Sequence, residues 1–291
     1  MSLLVIRPHR FCTHFGRVPF LIGHCLAGHE LFQLPRLVEL ARSLPAAQVE
    51  YNAGDVPVSL DPGRTPRNGL SPEETIRRIE QCRSWLVLKR VELDADYGRL
   101  LDRCLAEVRA ASSPLTAGMC DPHAFIFVSS PGAVTPYHMD PEENFLLQIR
   151  GTKTMSVFDR ADRAVVTEQQ FERFFTGAHR NLAYHDELQQ HARLFDLAPG
   201  LALHVPFAAP HWVQNGPAVS ISFSITFNTR ASLRRIHAHR VNSRLRRWGI
   251  DPAPVGQSAV RDGVKQLASR AARRLQSFVD EAFVGMRKRR A

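Results

Sequence analysis

The chain has 291 residues, of which 44% are hydrophobic, 23% charged and 8% aromatic. These proportions are typical of a folded globular protein and exclude the disordered and fibrous classes. No run approaches the roughly 18 consecutive apolar residues of a membrane-spanning helix, and no secretory signal pattern opens the chain. The five cysteines are scattered and never spaced as CxxC, so we expect neither a disulfide framework nor a thiolate zinc site, and a cytoplasmic location.

Residues 1–115 are predicted to mix helices and strands. Periodicity and breaker residues predict, in chain order, a helix at 35–44, a loop at 55–71, a helix from Pro72 to about Cys82, a strand at 85–88 and a helix at 95–109. Ser71 is a favoured N-cap, and Pro72 suits the first turn of the helix that follows. Glu74 is expected to reach back and complete a capping box.

Residues 116–229 change character and are predicted to form a β-rich core. Short β-prone segments punctuated by glycine and proline follow one another at 125–128, 145–149, 154–158, 203–206 and 219–227. Such a series is typical of an all-β sandwich or barrel. One helix is predicted within this region, at 168–176.

The last β-prone segment alternates between two kinds of side chain. Apolar Ile221, Phe223 and Ile225 alternate with Ser220, Ser222 and Ser224. A period of two gives a strand with one apolar face and one face lined by hydroxyl groups. The hydroxyl face either lines a polar cavity inside a barrel or turns to solvent, and the pattern leaves both alternatives open.

The positive charge of the chain is concentrated in residues 230–291. The whole chain carries a net charge of +10, and this last region contains 16 Lys or Arg against four Asp or Glu. Two basic helices are predicted there, at 231–249 and 258–284. Such a block attracts polyanions such as nucleic acid or anionic lipid, but no nucleic-acid-binding motif accompanies it, and a solvated helical surface is the alternative.

The strongest candidate for chemistry is the pair His138 and Asp140. If both lie on one strand, residues i and i+2 project from the same face and offer an imidazole nitrogen and a carboxylate oxygen to one metal ion. His211, which follows a β-prone segment, is the candidate third ligand. Two histidines and one carboxylate with open positions are the ligand set of non-haem Fe(II) oxygenases.

The remaining histidines compete less well for such a site. His185 lies in a polar stretch that is expected to be solvated, and His204 lies in an apolar strand as either a core residue or a support for the site. His237 and His239 fall in a basic helix and are expected at the surface.

Lys153 lies on a β-prone segment just beyond a turn. Next to a metal site, its ammonium group would suit the distal carboxylate of an anionic co-substrate, because a charge-assisted pair is strong when desolvated. An ordinary surface lysine is the alternative.

These residues belong to one longer pattern. It comprises His138, Asp140, Asn144, Phe145, Gln148, Ile149, Gly151 and Lys153. The pattern resembles the core motif of the Jumonji-C/cupin-type 2-oxoglutarate oxygenases, especially the asparaginyl hydroxylases and bacterial cupin-like proteins, over roughly residues 120–229. The resemblance implies a double-stranded β-helix (jelly-roll) core with helical N- and C-terminal additions.

The resemblance also implies roles for individual residues. His138, Asp140 and His211 would be iron ligands, and Lys153 would bind the 2-oxoglutarate carboxylate. Thr135 lies where the family places a hydroxyl on that carboxylate. The pocket would be lined further by Asn144 and Ser224, the latter at a position where the asparaginyl hydroxylases have asparagine. The family tyrosine that helps hold 2-oxoglutarate has no match, since the nearby Phe125 and Phe127 lack the hydroxyl.

The implied activity is Fe(II)- and 2-oxoglutarate-dependent hydroxylation by O2, with release of succinate and CO2. The substrate would be a protein side chain or a small molecule, and demethylation is chemically adjacent. The alternatives are a non-catalytic cupin-like regulatory or polyanion-binding protein and a metal-dependent cupin enzyme without 2-oxoglutarate. We expect three regions, 1–115, 116–229 and 230–291, and a homodimer formed through the C-terminal helices.

Overall fold

The computed structural model describes residues 2–61, 65–112, 115–116, 118–258 and 260–269. Its helices are α1 (Pro8–His14), α2 (Leu34–Ser43), α3 (Pro72–Arg77), α4 (Ala95–Ser112), α5 (Glu168–Phe175) and α6 (Arg230–Arg247). Short 3-10 helices lie at Glu30–Phe32, Ala46–Gln48, Val91–Leu93 and Asp186–His191. A further helical segment covers 260–269. No helix among the described residues is both long and apolar enough to cross a membrane.

Two antiparallel sheets form the core of the described chain. The strands are β1 (Leu4–Val5), β2 (Phe20–His24), β3 (Val49–Ala53), β4 (Ser84–Lys89), β5 (Cys120–Ser129), β6 (Val134–His138), β7 (Glu143–Arg150), β8 (Lys153–Phe158), β9 (Ala192–Leu197), β10 (Leu201–Val205), β11 (His211–Asn215) and β12 (Ser220–Asn228). The eight-stranded sheet has the order β1-β2-β10-β7-β12-β5-β4-β3, and the four-stranded sheet has the order β6-β11-β8-β9. The predicted jelly-roll fold with added helices is confirmed.

The N-terminal strands extend the larger sheet on both sides. β2 pairs with β10, and β4 pairs with β5. α4 buries an apolar stripe that includes Tyr97, Leu101 and Leu105, in the same hydrophobic core as the apolar face of β12. Burial of this kind contributes about 1.5–3 kcal/mol for each large side chain, so these contacts hold the larger sheet in place.

The hydroxyl face of β12 is buried, which decides between the two alternatives that its pattern left open. Ser222 donates to Gln148 Oε1 at 2.7 Å, and Gln148 Nε2 donates to Ser220 Oγ at 3.0 Å. One step along the strand, Ser224 donates to Asn144 Oδ1 at 2.8 Å. A polar ladder therefore joins β7 and β12, and it satisfies groups that would be costly to bury alone.

The predicted helix from Pro72 to about Cys82 is shorter than expected. α3 ends at Arg77, and the Ile79 carbonyl instead accepts a hydrogen bond from the Ser130 hydroxyl. The capping box is only half formed: Ser71 Oγ accepts from the Glu74 amide at 3.2 Å, but the Glu74 carboxylate pairs with Arg77. The other predicted helices and strands of residues 2–258 lie within a few residues of their expected positions.

The described chain divides into two compact units. One comprises the described residues of 2–165 and 179–229, and the other comprises those of 166–178 and 230–269. The first includes both sheets and every candidate site residue. The three predicted regions stay a prediction. Residues 259 and 270–284 of the second predicted basic helix lie outside the described residues.

Within the second unit, the expectation for two histidines is wrong. His237 and His239 are buried, with 7% and 5% of their surface exposed. His239 stacks on Phe175 at a ring distance of 5.4 Å and lies 3.7 Å from Glu168. α6 packs its histidine face against α5, a contact that the basic composition of α6 did not reveal.

Gln148→Leu is expected to lower the free energy of unfolding by about 2–3 kcal/mol, because it leaves the Ser220 and Ser222 hydroxyls buried without this partner. Urea denaturation measures the loss. The matched control is Gln214→Leu on an exposed strand position, where a loss below about 1 kcal/mol is expected. Equal losses in both variants would contradict a stabilising ladder.

Candidate active site

The pairing of β6 with β11 brings the two candidate histidine ligands together. His138 is the last residue of β6, His211 is the first of β11, and the two are direct partners in the register. Their ring centroids lie 4.2 Å apart, and both side chains are buried. Nitrogen and oxygen atoms of His138, Asp140 and His211 all lie within 4.8 Å of one another, so the three can reach a common metal ion.

Asp140 joins the cluster from a loop, although the sequence argument placed it on the strand of His138. β6 ends at His138, and the Ala208 amide fixes the loop by donating to the Asp140 carbonyl at 2.9 Å. Asp140 Oδ2 lies 3.6 Å from His138 Nε2 and 3.7 Å from His211 Nε2. Arg180 Nη1 lies 3.3 Å from the other carboxylate oxygen. The two oxygens therefore face different partners.

Hydrogen bonds to the backbone orient both imidazoles. His138 Nδ1 lies 2.7 Å from the Pro136 carbonyl, and His211 Nδ1 lies 2.9 Å from the Ala209 carbonyl. A carbonyl accepts only, so each Nδ1 carries the proton and each Nε2 presents its lone pair to the cluster. This orientation matches the way metal-bound histidines are held in proteins.

Electrostatics keep His211 and Asp140 in the protonation states that a metal requires. Burial and the neighbouring His138 lower the pKa of His211 to about 4, so its ring is neutral at pH 7. Burial alone would raise the pKa of Asp140, but His138, Arg180 and His211 together hold it well below its usual value. Two imidazoles and one carboxylate fit a divalent transition metal such as Fe(II).

A cavity of about 540 Å³ opens beside the cluster. His138 and Thr135 form part of its wall, together with Trp85 and Phe127 from the larger sheet and Arg180. The cavity is large enough for a small molecule or an inserted side chain. Thr135, predicted to face the co-substrate, is therefore placed in the same cavity as a candidate metal ligand.

Lys153 begins β8 and is buried, with 6% of its surface exposed. Burial lowers the pKa of Lys153 to about 7, and no carboxylate among the described residues forms an ion pair with its ammonium group. Asn215 lies directly opposite Lys153 in the β8–β11 register, and the Asn215 Oδ1 atom is buried without a hydrogen-bond partner. A buried cation without a counter-ion fits an anionic ligand.

The other two predicted pocket residues are hydrogen-bonded to each other. Asn144 and Ser224 belong to the polar ladder between β7 and β12 and are 8% and 1% exposed. Among the competing histidines, His204 is a core residue that accepts from the Gly16 amide at 3.1 Å, and His185 is exposed as expected. The co-substrate roles of Asn144 and Ser224 stay predictions.

Sequence reasoning missed three residues of the site. Arg180 comes from a loop that carries no motif, and nothing in the sequence near Trp85 points to the cavity. Asn215 could have been predicted, because positions 211, 213 and 215 of one strand share a face and His211 is a candidate ligand.

An antiparallel jelly-roll in which His138, the partly exposed Asp140 and the distant His211 meet at one point defines a cupin-like protein with a candidate metal site. The family model of the cupin-like domain matches residues 67–242, well over half of the chain, and the chain belongs to this family. The predicted resemblance is thereby confirmed. No curated protein matches the chain.

Solved structures of one bacterial protein share this fold. A structure of Escherichia coli ycfD aligns with a TM-score of 0.52 and 16% identity, covering 94% of this chain and 69% of that chain. Another, described as the ribosomal oxygenase YcfD of E. coli in complex with cobalt and 2-oxoglutarate, aligns with a TM-score of 0.49 and 15% identity over 94% and 68%. At these identities the likeness concerns the fold.

Lys153→Met is expected to stabilise the ligand-free protein at pH 6 by about 2–4 kcal/mol, because it removes a buried charge without a counter-ion. The pKa of Lys153 is about 7 in the folded state and about 10.4 when unfolded, so the cost of burying the charge is full below pH 7 and falls as the pH rises towards 10. The gain should therefore be about 2 kcal/mol smaller at pH 9.

Urea denaturation at pH 6 and pH 9 measures this difference. Lys89→Met is the matched control, since Lys89 is half-buried and pairs with Glu50 at 2.5 Å, and no such gain is expected from it. A stability difference that does not change between the two pH values would contradict the burial of an unpaired Lys153 charge.

Proposed function

We propose that this protein is an Fe(II)- and 2-oxoglutarate-dependent oxygenase that hydroxylates a C–H bond of a protein side chain or small molecule, with release of succinate and CO2. The observation that carries the proposal is the combination, in one unit of a cupin-like fold, of the His138–Asp140–His211 cluster with the buried, unpaired Lys153. The cluster suits the metal, and the lysine suits a dicarboxylate co-substrate.

Each part of the site has a definite task in this reaction. Iron, when bound, supplies the chemistry that couples decarboxylation of 2-oxoglutarate to oxidation of the substrate. His138, Asp140 and His211 would hold the metal and would leave room for further ligands. Arg180 holds the second oxygen of Asp140 and so fixes the carboxylate.

Lys153 and the cavity complete the arrangement. The ammonium group of Lys153 would neutralise the distal carboxylate of 2-oxoglutarate, and Thr135 would donate its hydroxyl to the same group. The cavity that includes Thr135 and His138 leaves room for the substrate next to the cluster. The cobalt and 2-oxoglutarate present in the YcfD complex agree with this ligand pair.

The two alternative functions explain fewer of these features. A non-catalytic regulatory or polyanion-binding protein has no use for three metal-ligand side chains that meet at one point. A cupin enzyme that uses a metal without 2-oxoglutarate has no use for a buried lysine without a counter-ion. The oxygenase accounts for both.

The homodimer through the C-terminal helices and the binding of polyanions stay predictions. Val260, Val264 and Leu267 are exposed on the helical segment 260–269, and their spacing places them on one face. This face is the described apolar surface that such a dimer would use.

The metal assignment is tested by adding Fe(II) and 2-oxoglutarate without oxygen. Wild-type protein is expected to give a visible charge-transfer band, and His138→Ala is expected to lose it because one ligand is removed. His185→Ala, an exposed histidine outside the cluster, is the control and should keep the band. An unchanged band in His138→Ala would refute the ligand assignment.

The co-substrate assignment is tested by Lys153→Ala. This variant is expected to need about 100-fold more 2-oxoglutarate for half-maximal succinate formation, because a buried charge-assisted pair is lost. Mn(II) affinity, measured by calorimetry, should change less than about threefold. Succinate formation is followed with cell-extract fractions of proteins, RNA and small molecules, and the stimulating fraction identifies the substrate class. Equal turnover of both proteins at low 2-oxoglutarate would count against the role of Lys153.

A further inference from the structure

The turn between β10 and β11 contacts two of the three candidate metal ligands. The Ala208 amide donates to the Asp140 carbonyl at 2.9 Å, and the Ala209 carbonyl lies 2.9 Å from His211 Nδ1. One peptide N–H therefore fixes the loop that carries Asp140, and the next carbonyl orients the His211 ring. A change in the shape of this turn would displace both ligands at once.

The turn has a shape that its sequence does not favour. The Ala209 amide donates to the Pro206 carbonyl at 3.0 Å, and φ is +54° at Ala208 but not positive at Phe207. A positive φ at the third of four residues defines a type II turn, which favours glycine at that position. Alanine is strained in this left-handed region, and a type I turn would suit it better. Contacts from outside the turn must therefore hold the observed shape.

Type I and type II turns differ mainly in the direction of one peptide group. In this turn it is the peptide between Phe207 and Ala208, which points in opposite directions in the two types. Its carbonyl accepts a hydrogen bond from Arg160 Nη1, and its N–H is the Ala208 amide that donates to Asp140. A flip to the type I turn would break both bonds. Arg160 and the Asp140 loop are thus coupled through a single peptide.

Arg160 is itself held by the N-terminal part of the chain. Its Nη2 atom donates to the Gly16 carbonyl at 2.7 Å, and its guanidinium carbon lies 5.8 Å from the centroid of the Phe207 ring. The Gly16 amide donates to His204 Nε2 at 3.1 Å, which ties this segment to β10. Gly16 lies outside residues 67–242, which the cupin-like family model matches. A planar guanidinium group bonds two carbonyls in fixed directions, as it does here.

The preceding peptide of the turn is fixed by a different side chain. Glu143 Oε2 accepts from the Phe207 amide at 3.1 Å. This bond holds the start of the turn whichever way the Phe207–Ala208 peptide points. The contact from Arg160 is therefore the one that distinguishes the two orientations.

We propose that Arg160 is a positioning residue, which holds the Phe207–Ala208 peptide in the orientation that lets Asp140 and His211 meet at a metal ion. This inference rests on the proposed function, because it needs a metal at the cluster. Without the guanidinium group, the turn relaxes towards type I, the Ala208 amide points away from Asp140, and the metal is bound more weakly. A residue outside the His-x-Asp pattern thus takes part in building the site.

The test measures Co(II) binding to the full-length protein, because Co(II) takes the same ligand types as Fe(II) and its visible absorption reports the coordination geometry. Arg160→Met removes the donors but keeps a long side chain. The Kd of Co(II) is expected to rise about tenfold, as for other residues that orient metal ligands, and the absorption band is expected to change shape. Arg193→Met, at an exposed position of β9, is the matched control and should change neither.

Ala208→Gly separates the proposed task from a general contribution to stability. Glycine adopts the positive φ of a type II turn without strain, so the turn should no longer need Arg160. In the Ala208→Gly background, Arg160→Met is expected to raise the Kd of Co(II) less than about threefold, and the band should keep its shape. Loss of an ordinary stabilising contact would not be rescued at position 208.

Urea denaturation without metal shows whether each variant is folded. If Arg160→Met does not fold, Arg160→Lys replaces it in the same measurements. Lysine keeps the positive charge but lacks the planar fork that bonds the two carbonyls. The same rise in Kd and the same rescue by Ala208→Gly are expected.

The outcomes distinguish this inference from the proposed function. If wild-type protein binds Co(II) and the folded Arg160 variant binds it with the same Kd and the same band, the role of Arg160 is refuted and the oxygenase stands. A weaker Kd that Ala208→Gly does not rescue also refutes the control of the peptide by Arg160. If wild-type protein binds no Co(II), both are refuted.

Discussion

The register between β6 and β11 is the constraint on which the candidate site depends. It sets His138 directly opposite His211, although 72 positions of sequence separate them, and it brings their rings to 4.2 Å. Because side chains alternate along a strand, a slip of one residue would turn one imidazole to the opposite face of the sheet. The loop that carries Asp140 is fixed separately, by a hydrogen bond from the Ala208 amide close to His211. The pairing of β6 with β11 and the hydrogen bond to the loop therefore both fix the candidate ligands close to His211.

A second feature of the site is the number of polar groups that are buried without partners. The Lys153 ammonium group, Asn215 Oδ1 and Trp85 Nε1 all fall in this class. Each lowers the stability of the ligand-free protein, since desolvation is not offset by a bond. The Gln148 ladder avoids this cost, whereas Tyr137 Oη and Asn242 Oδ1 are further buried atoms without a hydrogen-bond partner. A ligand with complementary atoms would satisfy the groups that lie near the cluster.

Local patterns in the sequence were sufficient to predict much of the fold. The spacing of His138 and Asp140 depends on neighbouring residues, and the structure brings both side chains together with His211. The alternation in β12 predicted one apolar and one hydroxyl face but left open what the hydroxyl face contacts. The positions of Arg180 and Trp85 in the wall of the cavity could not be predicted, because each reaches it through a long-range contact without a local pattern. The surface position expected for His237 and His239 was wrong for the same reason, because the basic composition of α6 does not indicate which face packs against α5.

The hydrogen bonds that the polar side chains of the pocket already form also indicate which of them can bind a ligand. Asn144 and Ser224 already form a hydrogen bond with each other, so either would have to give up part of that bond to serve a ligand. Lys153 and Trp85 have no such bond to give up. In the proposed function, a ligand that contacts Lys153 would gain this interaction without breaking a protein hydrogen bond, and the difference favours β8 over the ladder as the source of affinity. The strands β7 and β12 would then act mainly as a wall of the pocket, and Ser224, at a position where the asparaginyl hydroxylases have asparagine, would be compatible with this role.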